Sequence, residues 1–218
     1  MSPTFLERDL EIQDETVATW LNHPEMDGRP LNRWTPSQFL QMCELGIFDE
    51  AEVELIQGVI VHKMTRNSLH DVAIHLVADE LLGLLPRGWV IRYQAAVIAG
   101  RSSLEPDLAV VRGPHTMYLN RHPVAADAGL IVEIADSSVA RDRLKASEYC
   151  RAGVDEYWIV NLAQRQLEVF SDPDEVTGQF QQQLVLKGTD TRELHLKGEL
   201  CGRFTCQRLL PPERLSSS

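Results

Sequence analysis

Two stretches decide how this chain folds: Glu105-Pro106-Asp107-Leu108-Ala109-Val110-Val111 and Leu130-Ile131-Val132-Glu133-Ile134-Ala135. Each places an acidic residue beside a run of Val, Ile, Leu and Ala that has the composition of a buried β-strand. A carboxylate buried among such residues is costly unless a cation or a hydrogen-bond donor compensates it. Asp107 and Glu133, with Lys145 on the segment that follows, therefore predict a divalent-metal site of the kind that cleaves phosphodiesters.

Helix-like and strand-like segments alternate around the two acids, which predicts an α/β fold with a central mixed β-sheet flanked by helices. Helices are predicted from Thr35-Pro36 to Gly46, over residues 69–85 after a cap at Asn67 or Ser68, and from Ser137 or Ser138 to about Arg151. Strands are predicted at 52–56, 59–61, 89–98, 107–111, 129–135, 156–160, 166–170 and 181–186. The stretch beyond residue 186 has a less regular pattern.

The chain of 218 residues is predicted to form one domain over residues 34–212. Residues 1–33 are interpreted as an N-terminal arm or extension, and residues 213–218 as a flexible tail. No run of about 18 uncharged apolar residues is present. The N-terminus also lacks a basic segment followed by an apolar one, so neither a membrane span nor a secretory signal is expected. The cytoplasm is the expected location.

Several enzyme classes are disfavoured because their motifs are missing. The sequence has no phosphate-binding Gly-x-x-x-x-Gly-Lys loop, no dinucleotide fingerprint, no Gly-x-Ser-x-Gly elbow and no His-Glu-x-x-His. The formal net charge of −11 counts against tight non-specific DNA binding, although an acidic chain can carry a local basic face.

Each candidate residue also has a purely structural interpretation. Asp107 could cap a turn at a strand edge, and Glu133 could form a structural ion pair. Lys145 could pair with Asp142, which lies three residues earlier on the same helix face. The functional interpretation instead brings Lys145 to the metal site, where it would polarise the attacked phosphate or position a water.

A longer series of motifs occurs in order over roughly residues 35–200. These are Val53-Glu54-Leu55-Ile56-Gln57-Gly58-Val59-Ile60-Val61, His70 on the following helix, Glu105 to Val111, Ile131-Val132-Glu133-Ile134-Ala135-Asp136-Ser137-Ser138, Asp142-Arg143-Leu144-Lys145-Ala146-Ser147-Glu148-Tyr149 and Gly153-Val154-Asp155-Glu156-Tyr157-Trp158-Ile159-Val160. Together they resemble the Uma-two family of candidate restriction endonucleases.

The resemblance implies the PD-(D/E)XK nuclease superfamily, with a restriction-endonuclease-like α/β core. It implies that Asp107 and Glu133 bind the metal, with Mg²⁺ or Mn²⁺ as the cofactor. The superfamily's lysine normally lies two residues after the second acid, where this chain has Ala135. The resemblance implies that Lys145, on the next helix, supplies it instead.

Two further candidate catalytic residues come from the resemblance. Glu54 is a candidate third acid around the metal, and its structural alternative is a solvated hairpin carboxylate. His70 could orient a phosphate or a water, and its alternative is a capping or packed residue. Gln94 could hydrogen-bond near the site, whereas Tyr157 and Trp158 are interpreted as core residues.

The predicted function is that of a Mg²⁺-dependent DNA endonuclease, which hydrolyses phosphodiester bonds at a site of two carboxylates and a lysine. DNA is the expected partner, and a homodimer would allow both strands to be cut. One alternative is a catalytically degenerate nuclease fold that binds protein or nucleic acid, which the acidic charge and Ala135 favour. Another is a metal-dependent hydrolase of a different phosphodiester or of a small substrate, which would have the same site without a basic groove beside it.

Overall fold

The computed structural model describes residues 25–26, 29–63 and 67–212. Contacts between Cα atoms divide the chain after Asn32. Before that point, strands β1 (Glu25–Met26) and β2 (Arg29–Pro30) pair in antiparallel orientation. Most of the predicted arm and the whole predicted tail lie outside the described residues, so the predicted domain boundaries stay predictions.

The central sheet of the main body has six strands. They are β5 (Trp89–Tyr93), β8 (Leu108–Arg112), β9 (Ala128–Ala135), β10 (Glu156–Asn161), β11 (Gln166–Asp174) and β12 (Gln179–Lys187). Their order across the sheet is β12-β11-β10-β9-β8-β5. Because β9 and β10 are parallel and the other neighbours are antiparallel, the predicted mixed sheet is confirmed. Every residue of β9 and β10 is buried, as expected for central strands covered on both faces.

A smaller sheet of four strands lies in the N-terminal half of the body. Its strands are β3 (Val53–Ile56), β4 (Val59–His62), β6 (Val97–Ala99) and β7 (Ser102–Leu104). They are ordered β4-β3-β7-β6. Gln57 and Gly58 join β3 to β4 with φ angles of 49° and 80°, the left-handed geometry that a two-residue hairpin turn needs.

Three helices pack on these sheets in the described part of the body: α1 (Pro36–Glu44), α2 (Ser68–Leu84) and α3 (Val139–Arg151). The side chains of Thr35 and Asn67 accept backbone N–H groups in the first turns of α1 and α2, so both helices begin at predicted caps. Within the described ranges, no helix has both the length and the apolar content of a membrane span.

The two faces of the central sheet are covered by different elements. Helix α2 shares one apolar core with Val132 and Ile134 of β9 and with a C-terminal hairpin, β13 (Thr191–Leu196) and β14 (Glu199–Thr205). Helix α3 covers the other face, where the rings of Tyr149 and Tyr157 lie 5.2 Å apart. Because side chains alternate along a strand, Glu133 points away from the core of Val132 and Ile134 and toward α3.

Two predictions of strand layout are wrong. Residues 89–98 do not form one strand, because Gln94 adopts a left-handed φ of 45° and the chain passes from β5 in the central sheet to β6 in the smaller sheet. The stretch after residue 186 is not irregular but contains the β13–β14 hairpin. Its turn residues Lys197 and Gly198 both have positive φ.

Candidate active site

A cleft of about 100 Å³ is lined by residues of the β3–β4 hairpin, the first turns of α2 and α3, and the central sheet. All five predicted site residues line it: Glu54, His70, Asp107, Glu133 and Lys145. The fold therefore brings together side chains that come from five separate parts of the sequence.

Asp107 lies beside Glu133 because of the register of the central sheet. It immediately precedes β8, whose first residue, Leu108, pairs with Val132 of β9 in antiparallel orientation. The Oδ2 atom of Asp107 accepts the backbone N–H of Ile134 at 2.8 Å. Asp107 is thus fixed to the neighbouring strand rather than capping a turn.

His70, in the first turn of α2, contacts the same carboxylate. Its Nε2 atom lies 3.1 Å from Oδ2 of Asp107, and its backbone N–H donates to the capping oxygen of Asn67 at 3.0 Å. The Asn67 amide in turn donates to Asp136 at 2.9 Å. The cap of α2 therefore positions the His70 ring against Asp107.

Lys145 forms ion pairs with two acids from other elements. Its Nζ atom lies 3.1 Å from Oε1 of Glu54 and 3.2 Å from Oε1 of Glu133. All three side chains are almost completely buried, so Glu54 is not a solvated hairpin residue. The local partner considered for Lys145, Asp142, instead accepts a hydrogen bond from Ser138 Oγ at 2.6 Å.

The site concentrates negative charge where water is scarce. Burial raises the pKa of Glu133 well above its usual value, and Asp142, Asp107 and Glu54 raise it further while Lys145 opposes them. Burial likewise raises the pKa of Asp142, to about 6. Burial would lower the pKa of Lys145, but the nearby acids outweigh that effect and raise it, so this lysine stays charged.

The donor set fits a hard divalent cation. The Oε2 atom of Glu54 is buried and meets no hydrogen-bond donor among the described residues. Carboxylate oxygens are the ligands that Mg²⁺ prefers, usually one or two of them with several waters. Within the described ranges, no group of three or more His, Cys, Asp or Glu side chains is placed to hold a metal ion.

A second polar cluster holds the hairpin of Glu54 against the helix of Lys145, and sequence reasoning missed it. Glu148, one turn after Lys145, accepts hydrogen bonds from the Gln57 side chain at 2.6 Å and from Ser102 Oγ at 2.7 Å. Ser102 Oγ also accepts the backbone N–H of Gln57 at 2.9 Å. We call Gln57, Ser102 and Glu148 the hairpin clamp.

The cleft also contains residues that the sequence prediction does not assign to the site. Asp142 and Arg141 both line it, and Asp142 is buried. The spacing of Asp142, Lys145 and Tyr149 places them on one helix face, and this signal could have assigned Asp142 to the site. Gln94 lines the cleft as predicted, and Tyr157 is fully buried in the core as predicted.

Comparisons with known proteins agree with this fold. The sequence model of a family described as "Uma2: Putative restriction endonuclease" matches residues 36–199. A solved structure from Anabaena variabilis ATCC 29413, described as a "putative nuclease belonging to DUF820", is similar with a TM-score of 0.63 and 16% sequence identity. The match covers 80% of this chain and 96% of that chain, and at this identity it shows the fold alone. No curated protein matches. The predicted resemblance and the predicted fold class are both confirmed.

Proposed function

The chain belongs to the Uma2 family, and from that premise we propose that it is a divalent-metal-dependent endonuclease that hydrolyses phosphodiester bonds in DNA. The observation that carries the proposal is the buried cluster of Glu54, Asp107 and Glu133 in one cleft with Lys145. Such a concentration of desolvated carboxylates is costly to a fold, and it is common where acids have a chemical task.

Asp107 and Glu133 are the residues that would hold Mg²⁺ or Mn²⁺, with Glu54 as the third acid. A bound ion would supply an acidified water and would neutralise the charge that develops on the attacked phosphate. The protein prepares the ligands in advance: the Ile134 N–H and the His70 ring fix Asp107, and Lys145 contacts both glutamates.

Lys145 and His70 are the other two predicted site residues, and each has a proposed role in the reaction. Lys145 keeps its positive charge because the surrounding acids raise its pKa, so it can attract the scissile phosphate into an otherwise acidic cleft. His70 is held against Asp107 and can orient that carboxylate or a water. Arg141 lines the cleft, where its guanidinium can meet a phosphate oxygen.

A second candidate function is that of a catalytically inactive nuclease fold that binds nucleic acid or protein. Two observations favour it: the net charge of −11, and Ala135 at the position where the superfamily's lysine is expected. The ion pairs of Lys145 with Glu54 and Glu133 would then be only structural.

Nicking of supercoiled plasmid in Mg²⁺ or Mn²⁺ tests the proposal. We expect the parent protein to nick the plasmid and the Asp107→Ala variant to fall to background, because the variant loses a metal ligand. Asp79→Ala, at an exposed position of α2, is the matched control and should keep the parental rate. Nicking by Asp107→Ala at the parental rate would contradict the assigned site. A parent that binds DNA but cuts none of a set of genomic DNAs would favour the inactive fold.

A further inference from the structure

A second groove, with a volume of about 910 Å³, is lined by α1 and by residues 118–124 together with Arg92 of β5. Its lining differs from that of the acidic cleft, because Arg92, Tyr118, Arg121 and His122 all contribute to it, and Glu44 is the one acidic residue among the described residues that line it. We call these four residues the arginine groove.

The surroundings of Arg92 favour the binding of an anion. Its guanidinium lies 5.4 Å from the centre of the Tyr118 ring, which contacts the guanidinium without using its N–H groups. Its Nε atom is buried and has no hydrogen-bond partner within the described part of the chain. A buried, unpaired N–H is unfavourable, and buried polar groups in native proteins are nearly always satisfied. The Nε atom itself is enclosed by the protein, but the Arg92 side chain lines the groove, where an anion can contact the rest of the guanidinium.

His122 offers a second unsatisfied nitrogen in the same groove. Its Nδ1 atom is buried and also has no hydrogen-bond partner among the described residues. Burial and the charge of Arg92 lower its pKa, so the ring is neutral near pH 7 and can donate one N–H. Arg121 also lies on the Tyr118 ring, at 5.0 Å, but Asp127 already accepts two of its N–H groups.

The arginine groove and the cleft are neighbours. Gln94, two residues after Arg92, lines the cleft and donates its backbone N–H to the Asp107 carbonyl at 3.1 Å. Glu105 also lines the cleft, and its charge acts on His122. A polymer of phosphates that enters the cleft therefore passes close to the groove.

We propose that the arginine groove binds a backbone phosphate of DNA that flanks the scissile one, with Arg92 as the anchoring cation and His122 as a second donor. The inference rests on the proposed function and adds a second point of contact with the same substrate. The carboxylates of the metal-free cleft repel DNA and oppose the attraction of Lys145 and Arg141. Cations beside the cleft would therefore add to the affinity, because each neutralised phosphate releases counterions.

Binding of a fluorescently labelled 30-base-pair DNA duplex, measured by anisotropy in Ca²⁺ over a series of salt concentrations, tests the inference. Relative to the full-length parent, we expect Arg92→Gln to weaken binding by about tenfold and to reduce the salt slope by about 1. His122→Gln should weaken binding less. Arg87→Gln, at an exposed arginine in the turn before β5, is the matched control and should bind as the parent does.

Parental affinity in Arg92→Gln would overturn the inference, as would an equal loss in Arg92→Gln and Arg87→Gln. If Arg92→Gln fails to fold, parental affinity in His122→Gln overturns it instead. The assay reads binding alone, so its result is distinct from that of the nicking experiment. A parent that binds through Arg92 but never nicks plasmid would support the groove and contradict the nuclease. Nicking by the parent together with parental DNA affinity in Arg92→Gln would support the nuclease and contradict the groove.

Discussion

Lys145 is the residue on which the charge balance of the cleft depends. Its ammonium contacts Glu54 and Glu133, and all three side chains are removed from water. Removal of one partner from a buried ion pair is far more harmful than loss of a surface pair, because an uncompensated charge stays behind. The ion pairs therefore contribute to stability as well as to the proposed chemistry.

Replacement of Lys145 by Met should lower the free energy of unfolding by about 3–5 kcal/mol at pH 7.5. The loss should shrink at lower pH, because burial raises the pKa of Glu133 well above its usual value and this carboxylate can then take up a proton. Urea unfolding of the metal-free protein at several pH values measures this.

Lys63→Met is the matched control, since Lys63 pairs with the partly exposed Glu105 and should contribute about 1 kcal/mol or less. An equally small loss in Lys145→Met would show that Glu54 and Glu133 do not need this cation.

The sequence predicts the individual acids better than their partners. Asp107 and Glu133 stand out because each carboxylate lies among apolar residues of a predicted strand. The contact of Lys145 with Glu54 cannot be predicted in this way, because it depends on how a hairpin and a helix far apart in the chain pack together.

At the level of elements, the hairpin clamp fixes the geometry of the site. Glu148 accepts two short hydrogen bonds from residues of the smaller sheet, although it lies on α3. The clamp therefore sets the distance between the β3–β4 hairpin, which carries Glu54, and the helix, which carries Lys145.

Replacement of Glu148 by Ala should destabilise the protein by about 2–4 kcal/mol, because the buried Ser102 hydroxyl and the partly buried Gln57 amide lose their acceptor. Amide hydrogen exchange should increase more in β3 and β4 than in β9. Mass spectrometry of exchanged peptides separates these strands.

Glu193→Ala removes the partly exposed partner of Arg203 and should leave the stability nearly unchanged. Uniform loss of protection across both sheets in Glu148→Ala would contradict a local role for the clamp.

The elements themselves follow closely from the sequence where caps and turns are local. Thr35 and Asn67 begin helices because their side chains bond to backbone groups in the first turn. The break at Gln94 was not predictable from the apolar run of 89–98, because the run continues through a residue whose conformation depends on a second sheet. The β13–β14 hairpin did carry a local signal: Leu194 and Leu196 alternate with polar residues before Lys197-Gly198.

For the whole molecule, buried carboxylates make stability depend on pH. The pKa of Asp142 is about 6 in the folded protein, against 3.8 for an ordinary aspartate. Below about pH 4, Asp142 is protonated in both the folded and the unfolded state, so it has no effect on how the free energy of unfolding depends on pH. Between pH 4 and pH 6 the unfolded chain ionises first, so the folded state loses stability as the pH rises, and above pH 6 the penalty is constant.

Asp142→Asn should therefore stabilise the metal-free protein at pH 8, by at most about 3 kcal/mol, and the gain should vanish near pH 4. Asn keeps an oxygen that can accept the hydrogen bond from Ser138. Urea unfolding at pH 4, 6 and 8 measures the gain, with the exposed Asp79→Asn as the matched control. A gain of the same size at pH 4 would show that the effect is not due to the charge.

Titration of the metal-free protein with Mn²⁺, followed by the electron paramagnetic resonance signal of the free ion, tests most directly whether the buried acids bind a divalent metal. The expected result is saturable binding by the parent that is lost in Glu133→Gln, while the circular dichroism of the variant stays that of the parent. Glu193→Gln, at a partly exposed position of β13, should bind as the parent does. Absence of binding by the parent, or parental affinity in Glu133→Gln, would contradict the metal site.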